Sequence, residues 1–274
     1  MKNSTTTSGP KRVTTRTIAE MKRKHRAIAC LTAYDFLTAR LLDQAGVDLI
    51  LVGDSLGMVF QGHETTIPVT MDQMIYHAQG VVRGVERAMV IVDMPFMSYQ
   101  TETEEGFRNA GRVMKETGAG GVKFEGGERI AELVNKTQAA GIPVMGHLGL
   151  TPQSIHQFGG YQPRGATPLE ARSLLRDAKI LEQAGAFALV LEKVPADLAK
   201  KVSRSVSIPT IGIGAGVHCD GQILVTPDML GLYEDFHPRF VRLYAKMADD
   251  TRTAVGRYVN DVKGRDFPKG KESY

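Results

Sequence analysis

Two rhythms of apolar positions alternate along the chain. Stretches with apolar residues three and four apart, the period of an amphipathic helix, end in a glycine, and a short, nearly continuous apolar run follows. The clearest copies are LLDQAG-VDLILVGD at Gly46, VMKETGAG-GVKFE at Gly118, TQAAG-IPVMGH at Gly141 and ILEQAG-AFALVLE at Gly185. Glycine stops a helix because it enters the left-handed region without a Cβ clash. Unbroken apolar runs mark strands buried on both faces, as in a parallel sheet covered by helices.

This pattern predicts strands near 27–32, 48–52, 88–92, 121–124, 143–146, 187–191, 210–213 and 223–225. Helices are predicted over 36–44, 71–83, 104–116, 129–140 and 168–183, with a last amphipathic helix over 238–258 and a polar tail. Eight strands alternating with helices favour a closed α/β (β/α)8 TIM barrel over an open doubly wound sheet. The length of 274 residues suits one such barrel, which takes about 250. No linker separates two domains, so 15–274 is expected to be a single barrel domain with its C-terminal helix and tail. No G-x-G-x-x-G follows the first strand and no Walker A loop occurs, which weighs against nucleotide folds.

Charge changes the picture only at the start of the chain. Residues 1–26 carry eight Lys and Arg against Glu20, a balance of +7, so of the net +4 the remainder holds 4 − 7 = −3. Residues 1–14 are expected to be a flexible basic tail, and no nucleic-acid partner is implied. No apolar run is long enough to span a membrane. Cys30 and Cys219 stand far apart, outside any zinc-ligand spacing, so a reducing, cytoplasmic setting is expected.

The polar residues gather at strand ends. Asp54 and Ser55 follow strand 2, Asp93 ends strand 3, Lys123 and Glu125 lie on strand 4, His147 ends strand 5 and Glu192 ends strand 6. In a barrel these ends share one mouth, where active sites form. Crowded carboxylates repel one another, and a divalent cation relieves that repulsion. An oxygen-rich donor set without a Cys/His cluster points to Mg2+. Any one strand-end acid is explained as well by capping a helix; Asp54, Asp93 and Glu125 together are not. Lys123 alternates inward with Glu125 if strand 4 is regular; it then serves a substrate carboxylate or enolate oxygen, forms a Schiff base, or is a structural ion pair. Glu192 is a candidate general base, or else a salt-bridge partner of Lys193. His147 either polarises an oxygen or is structural. The glycines at 212, 214 and 216 serve a ligand or simply a tight turn.

Eight motifs occur in order: VGDSLGM, QGHETTIPVT, DMPF, VKFEGG, GHLGLTPQS, FGGY, LEKVPA, and IGIGAG followed by DGQILV. Together they closely resemble the ketopantoate hydroxymethyltransferase family. The resemblance implies a barrel of the phosphoenolpyruvate/pyruvate superfamily type. It implies transfer of a hydroxymethyl group from 5,10-methylenetetrahydrofolate to 3-methyl-2-oxobutanoate, forming 2-dehydropantoate for pantothenate and coenzyme A. It implies a Mg2+ site at Asp54, Asp93 and Glu125, substrate contacts from Asp54, Ser55, Asp93 and Lys123, and Glu192 as proton acceptor. It also implies a homo-oligomer, expected as a decamer. After FGGY the chain runs Gln162-Pro163-Arg164-Gly165-Ala166, shorter than the family's basic Gly-rich loop. A folate-independent C–C lyase or aldolase on a small 2-oxo acid is the rival enzyme reading. Such lyases usually carry a cysteine in a loop motif, which neither Cys30 nor Cys219 occupies. A non-catalytic barrel with an inert metal site is the remaining alternative.

Overall fold

A computed structural model describes residues 11–235 and 238–274. The chain divides into two compact units, the first ending at Leu224 and the second running Val225–Tyr274. In the first, β1 (Ile28–Thr32), β2 (Leu49–Val52), β3 (Met89–Asp93), β4 (Gly121–Glu125), β5 (Val144–Gly149), β6 (Ala188–Glu192), β7 (Thr210–Ile213) and β8 (Gly221–Leu224) close into a parallel barrel in sequence order. Its main helices are α1 (Thr15–Arg23), α2 (Phe36–Gln44), α3 (Met71–Gly84), α4 (Thr103–Thr117), α5 (Ala131–Ala139), α6 (Pro168–Gln183) and α7 (Ala196–Ser205). The expected (β/α)8 barrel is therefore present, and α2 and α6 have the boundaries predicted from the pattern. The glycines of the repeat behave as argued: Gly46 at φ 90° and Gly185 at φ 98° turn the chain from helix into strand.

Strand alternation sorts the side chains into two apolar sets. One face, with Ile50, Val52, Val90, Val92, Val122, Phe124 and Leu189, packs against the helices. The other, with Leu49, Leu51, Met89, Ile91, Met145, Val190 and Ile223, fills the lower interior of the barrel. Along this inward row the apolar layers give way to Asp93 two residues beyond Ile91, His147 two beyond Met145 and Glu192 two beyond Val190. Lys123 and Glu125 are buried on the β4 strand whose Phe124 points to the helices, as the alternation requires.

α1 closes the lower end of the interior with Ile18 and Met21, joined by Val13. Thr14 caps this helix, and Val13 donates its N–H to the Arg87 carbonyl at 2.8 Å, so residues 13 and 14 are tied into the fold. Residues 1–10 of the expected basic tail lie outside the described residues. The glycine run after β7 forms a turn: the Gln222 amide donates to the Gly216 carbonyl at 2.9 Å, and a Cβ on Gly216 would crowd Ala196.

In the second unit, α8 (Met247–Lys263) begins later than the predicted 238–258. Pro238 does not open it because the following segment folds back: Tyr244 N–H bonds to the Met229 carbonyl and Met247 N–H to the Leu230 carbonyl. Asp249 and Asp250 occupy the first turn and Lys263 the last, complementing the helix dipole. Among the described residues no helix is long and apolar enough to cross a membrane.

Candidate active site

The parallel register sets the charged side chains in neighbouring rows. Asp93 on β3 is level with Lys123 on β4, and Glu125 on β4 is level with His147 on β5. The Lys123 ammonium lies 3.0 Å from Asp93 Oδ1 and 3.7 Å from Glu125 Oε1. The first contact is a buried ion pair. Asp93 Oδ2 accepts the Asp54 backbone N–H at 3.0 Å, which draws the end of β2 to the end of β3.

His147 stands between two acids. Its Nδ1 is 3.1 Å from Glu125 Oε1 and 3.0 Å from Lys123 Nζ, and its Nε2 is 3.3 Å from Glu192 Oε2. The Nε2 contact pairs the imidazole with the rim carboxylate. Close approach of β5 and β6 makes it possible: the Leu150 N–H bonds to the Glu192 carbonyl at 2.8 Å, and a Cβ on Gly149 would overlap that carbonyl. Glu192 is the most open of the group, with 16% of its side chain exposed against 2–4% for Asp93, Lys123, Glu125 and His147. Lys193, immediately after it, holds φ 45°, a costly conformation for a side-chain-bearing residue.

All six residues singled out in the sequence, with His147, lie at the strand ends and short turns of this mouth. Ser55 is bound through its hydroxyl to the Tyr34 hydroxyl at 2.8 Å. One residue of the site carried no assigned role in the sequence. Gln153, only 4% exposed, donates through Nε2 to Asp54 Oδ2 and to the Met94 carbonyl, both at 2.8 Å. Its Oε1 accepts from the Tyr99 hydroxyl at 2.7 Å and the Gln100 amide at 2.8 Å, and its backbone N–H reaches Glu125 Oε2 at 3.1 Å. These partners fix the amide orientation, because a flip would oppose donor to donor and acceptor to acceptor. Gln153 sits in a polar loop, TPQS, and nothing in that local pattern signals burial.

The electrostatics follow from burial and crowding. Burial, then the Asp93 and Glu125 charges, push the Asp54 carboxyl well above the usual carboxylate range. Burial also raises Asp93, against the pull of Lys123. Burial opposes the ionised form of Glu125, but His147 and Lys123 outweigh it and hold its carboxyl low. Burial opposes the Lys123 charge as well, yet Asp93, Glu125 and Asp54 keep the ammonium above its ordinary range. His147 is raised to about 9: burial and Lys123 work against the cation, and Glu125 and Glu192 prevail.

With every group charged, four carboxylates against Lys123 and His147 leave 4 − 2 = 2 net negative charges in a buried space. A divalent cation matches that balance. Among the described residues no three His, Cys, Asp or Glu side chains form a preformed metal cage. Mg2+ does not need one, since it typically keeps several waters and takes one or two carboxylates. The crowding of Asp54 against Asp93 and Glu125, which raises the Asp54 carboxyl, fits such an ion.

The barrel with its acid-ringed mouth is a (β/α)8 fold that solved structures of distant sequence share. A solved 2,3-dimethylmalate lyase, a PEP mutase/isocitrate lyase superfamily member, is similar at TM-score 0.61 and 15% identity, covering 90% of this chain and 85% of its own. Phosphonopyruvate hydrolase, solved with oxalate and Mg2+, gives 0.57 and 14% over 94% and 92%. At such identities the likeness concerns the fold alone. Within that fold the sequence decides: residues 12–270 match ketopantoate hydroxymethyltransferase, and the chain belongs to this family. The 3-methyl-2-oxobutanoate hydroxymethyltransferase of Prosthecochloris aestuarii is 61% identical over 266 residues, 96% of both chains. That of Salinibacter ruber is 59% identical over 263 residues, 96% of this chain and 99% of its own.

Proposed function

We propose that the chain is a hydroxymethyltransferase. It transfers a one-carbon unit from 5,10-methylenetetrahydrofolate to 3-methyl-2-oxobutanoate and yields 2-dehydropantoate and tetrahydrofolate, with one water consumed to supply the new hydroxyl. The observation that carries this reading is the convergence of Asp54, Asp93, Lys123, Glu125, His147 and Glu192 in one mouth, in a chain whose relatives named for this reaction match it over 96% of its length.

Asp54, Asp93 and Glu125 are the residues that would hold Mg2+, with Asp54 and Asp93 also shaping the oxo-acid site. When bound, the ion supplies Lewis-acid polarisation of the 2-oxo acid. The chain's own groups do the rest. Lys123, kept charged by its neighbours, faces the negative charge that develops on the substrate oxygen when the C3–H bond breaks. Ser55, fixed by Tyr34, orients the substrate at the end of β2. Glu192, at the open rim, takes the C3 proton, and His147 holds its carboxylate in place. The electron pair left at C3 then forms the new bond to the donor's methylene carbon, which gives up both its bonds to folate nitrogen, one as the C–C bond forms and one to the hydroxyl of the consumed water; the C3 proton and the water's second proton end on the two nitrogens, releasing tetrahydrofolate.

On the same reading the enzyme is cytoplasmic and self-associates, expected as a decamer. The apolar positions Val255, Tyr258 and Val262, between 42% and 57% exposed on α8, support self-association. The test of the reaction is product formation from both substrates, followed by mass. Formation of 2-dehydropantoate that stops when the folate is omitted supports the transferase; turnover of the oxo acid without folate contradicts it and favours a lyase.

A further inference from the structure

A cavity of about 470 Å3 opens beside the charged cluster and shares His147 with it as a wall. Its other sides come from the Gly126–Arg129 turn, the short helix Ile155–Phe158, the 164–165 stretch and the first turns of α6. This volume lies within the roughly 300–1,000 Å3 typical of small-molecule pockets. It far exceeds what a five-carbon oxo acid fills.

The lining has the chemistry of a larger, planar, amphoteric ligand. Phe158 offers a ring face, with the Arg164 guanidinium stacked 4.2 Å from its centroid. Asp177, 22% exposed, faces the cavity with weak engagement: its Oδ1 accepts the Glu128 N–H at 3.4 Å and lies 3.8 Å from the Arg176 guanidinium. Arg129 forms no ion pair among the described residues and meets only the Ser154 hydroxyl at 3.5 Å. The loop after FGGY is one wall of this space and is tied directly behind Glu192. The Arg164 N–H bonds to the Lys193 carbonyl at 2.9 Å, and Lys193 Nζ donates to the Tyr161 carbonyl at 3.1 Å. Arg164 also pairs with Glu170 at 2.5 Å.

We propose that this cavity is the site of the one-carbon donor, a reduced pterin joined to an aminobenzoyl-glutamate. The inference rests on the transferase reading above. A pterin presents two adjacent N–H donors on its aminopyrimidine edge, which a single carboxylate accepts together; Asp177 is placed for that edge. The aromatic linker lies along Phe158, and the glutamate carboxylates reach Arg129. His147, shared by both spaces, sets the donor's methylene carbon next to the carbon that Glu192 deprotonates.

Tetrahydrofolate is the probe, titrated calorimetrically into the full-length protein. Ser173→Phe places a ring in the cavity from α6. It is expected to weaken tetrahydrofolate at least about tenfold, the cost of overfilling a site. The KM for the methylene donor should rise by the same factor, with the KM for 3-methyl-2-oxobutanoate shifting less than about twofold. Asp177→Asn, which keeps the volume, should weaken tetrahydrofolate in the same direction, and it decides the matter if melting curves show Ser173→Phe unfolded. Wild-type affinity in both folded variants overturns the assignment and leaves the transferase reading intact. Failure of the wild-type protein itself to bind tetrahydrofolate overturns the donor in that reading, and this site with it.

Discussion

The Gln153 side-chain amide donates to the Asp54 carboxylate at 2.8 Å while its backbone N–H binds Glu125 at 3.1 Å, so one loop residue spans two of the three acids assigned to the metal. Outer partners of this kind orient metal ligands, and their loss typically costs about 10–100-fold in affinity. Gln153→Leu should therefore weaken Mg2+ binding, measured by titration calorimetry, by about that factor. An unchanged affinity would remove Gln153 from the metal account.

Glu192 contacts His147 at 3.3 Å and is the open member of the cluster. Glu192→Gln keeps shape and loses basicity, so kcat should fall at least about 100-fold, as for other lost general bases. The KM for 3-methyl-2-oxobutanoate should change little, and steady-state kinetics separate the two. Near-wild-type turnover would show that the proton goes elsewhere.

How much of this was legible beforehand depends on the kind of signal. Glycine-terminated helices and unbroken apolar runs are local, so the eight strands and helices such as Phe36–Gln44 and Pro168–Gln183 could be placed from the pattern. Asp93, Lys123, Glu125 and Glu192 were legible because they interrupt or end apolar strands. α1 was not, since its role is to plug the barrel with Ile18 and Met21, a tertiary fact written in a short, strongly charged segment. Gln153 and Tyr99 escaped for the same reason: their burial comes from loops folding together, not from any periodicity. The last helix was placed too early because pairing of Tyr244 and Met247 with the Met229–Leu230 turn competes with helix formation after Pro238.

With EDTA keeping divalent cations away, stability depends on pH through His147. His147 rises from its ordinary 6.5 to about 9 in the fold, so the folded protein holds a proton that the unfolded chain releases. That stabilisation is complete below about pH 6.5 and is lost as pH rises through about 9, a change of roughly 3 kcal/mol. Asp54 and Asp93 are raised as well and act in the same direction. In EDTA, Tm should fall between pH 6.5 and 9, and His147→Asn should flatten that fall. A Tm that rises over this interval would contradict the arrangement.

Lys123 is 3% exposed and pairs with Asp93 at 3.0 Å, with Glu125 further off at 3.7 Å. Lys123→Met leaves Asp93 buried without its cation and Glu125 with the His147 cation alone, a change that typically costs about 3–5 kcal/mol. Denaturant unfolding in EDTA should show that loss, and added Mg2+ should recover part of it. Wild-type stability in EDTA would mean the pair is not formed in solution.

On the proposed reading this mouth makes an enolate from a 2-oxo acid with the help of a divalent cation. Proton NMR of 3-methyl-2-oxobutanoate in D2O with the protein, with Mg2+ or with EDTA, follows that step as exchange of C3–H for deuterium. Loss of the C3–H signal with Mg2+, its persistence with EDTA, and its persistence in Glu192→Gln are the results expected here. A C3–H signal that survives with Mg2+ and added tetrahydrofolate would contradict the account.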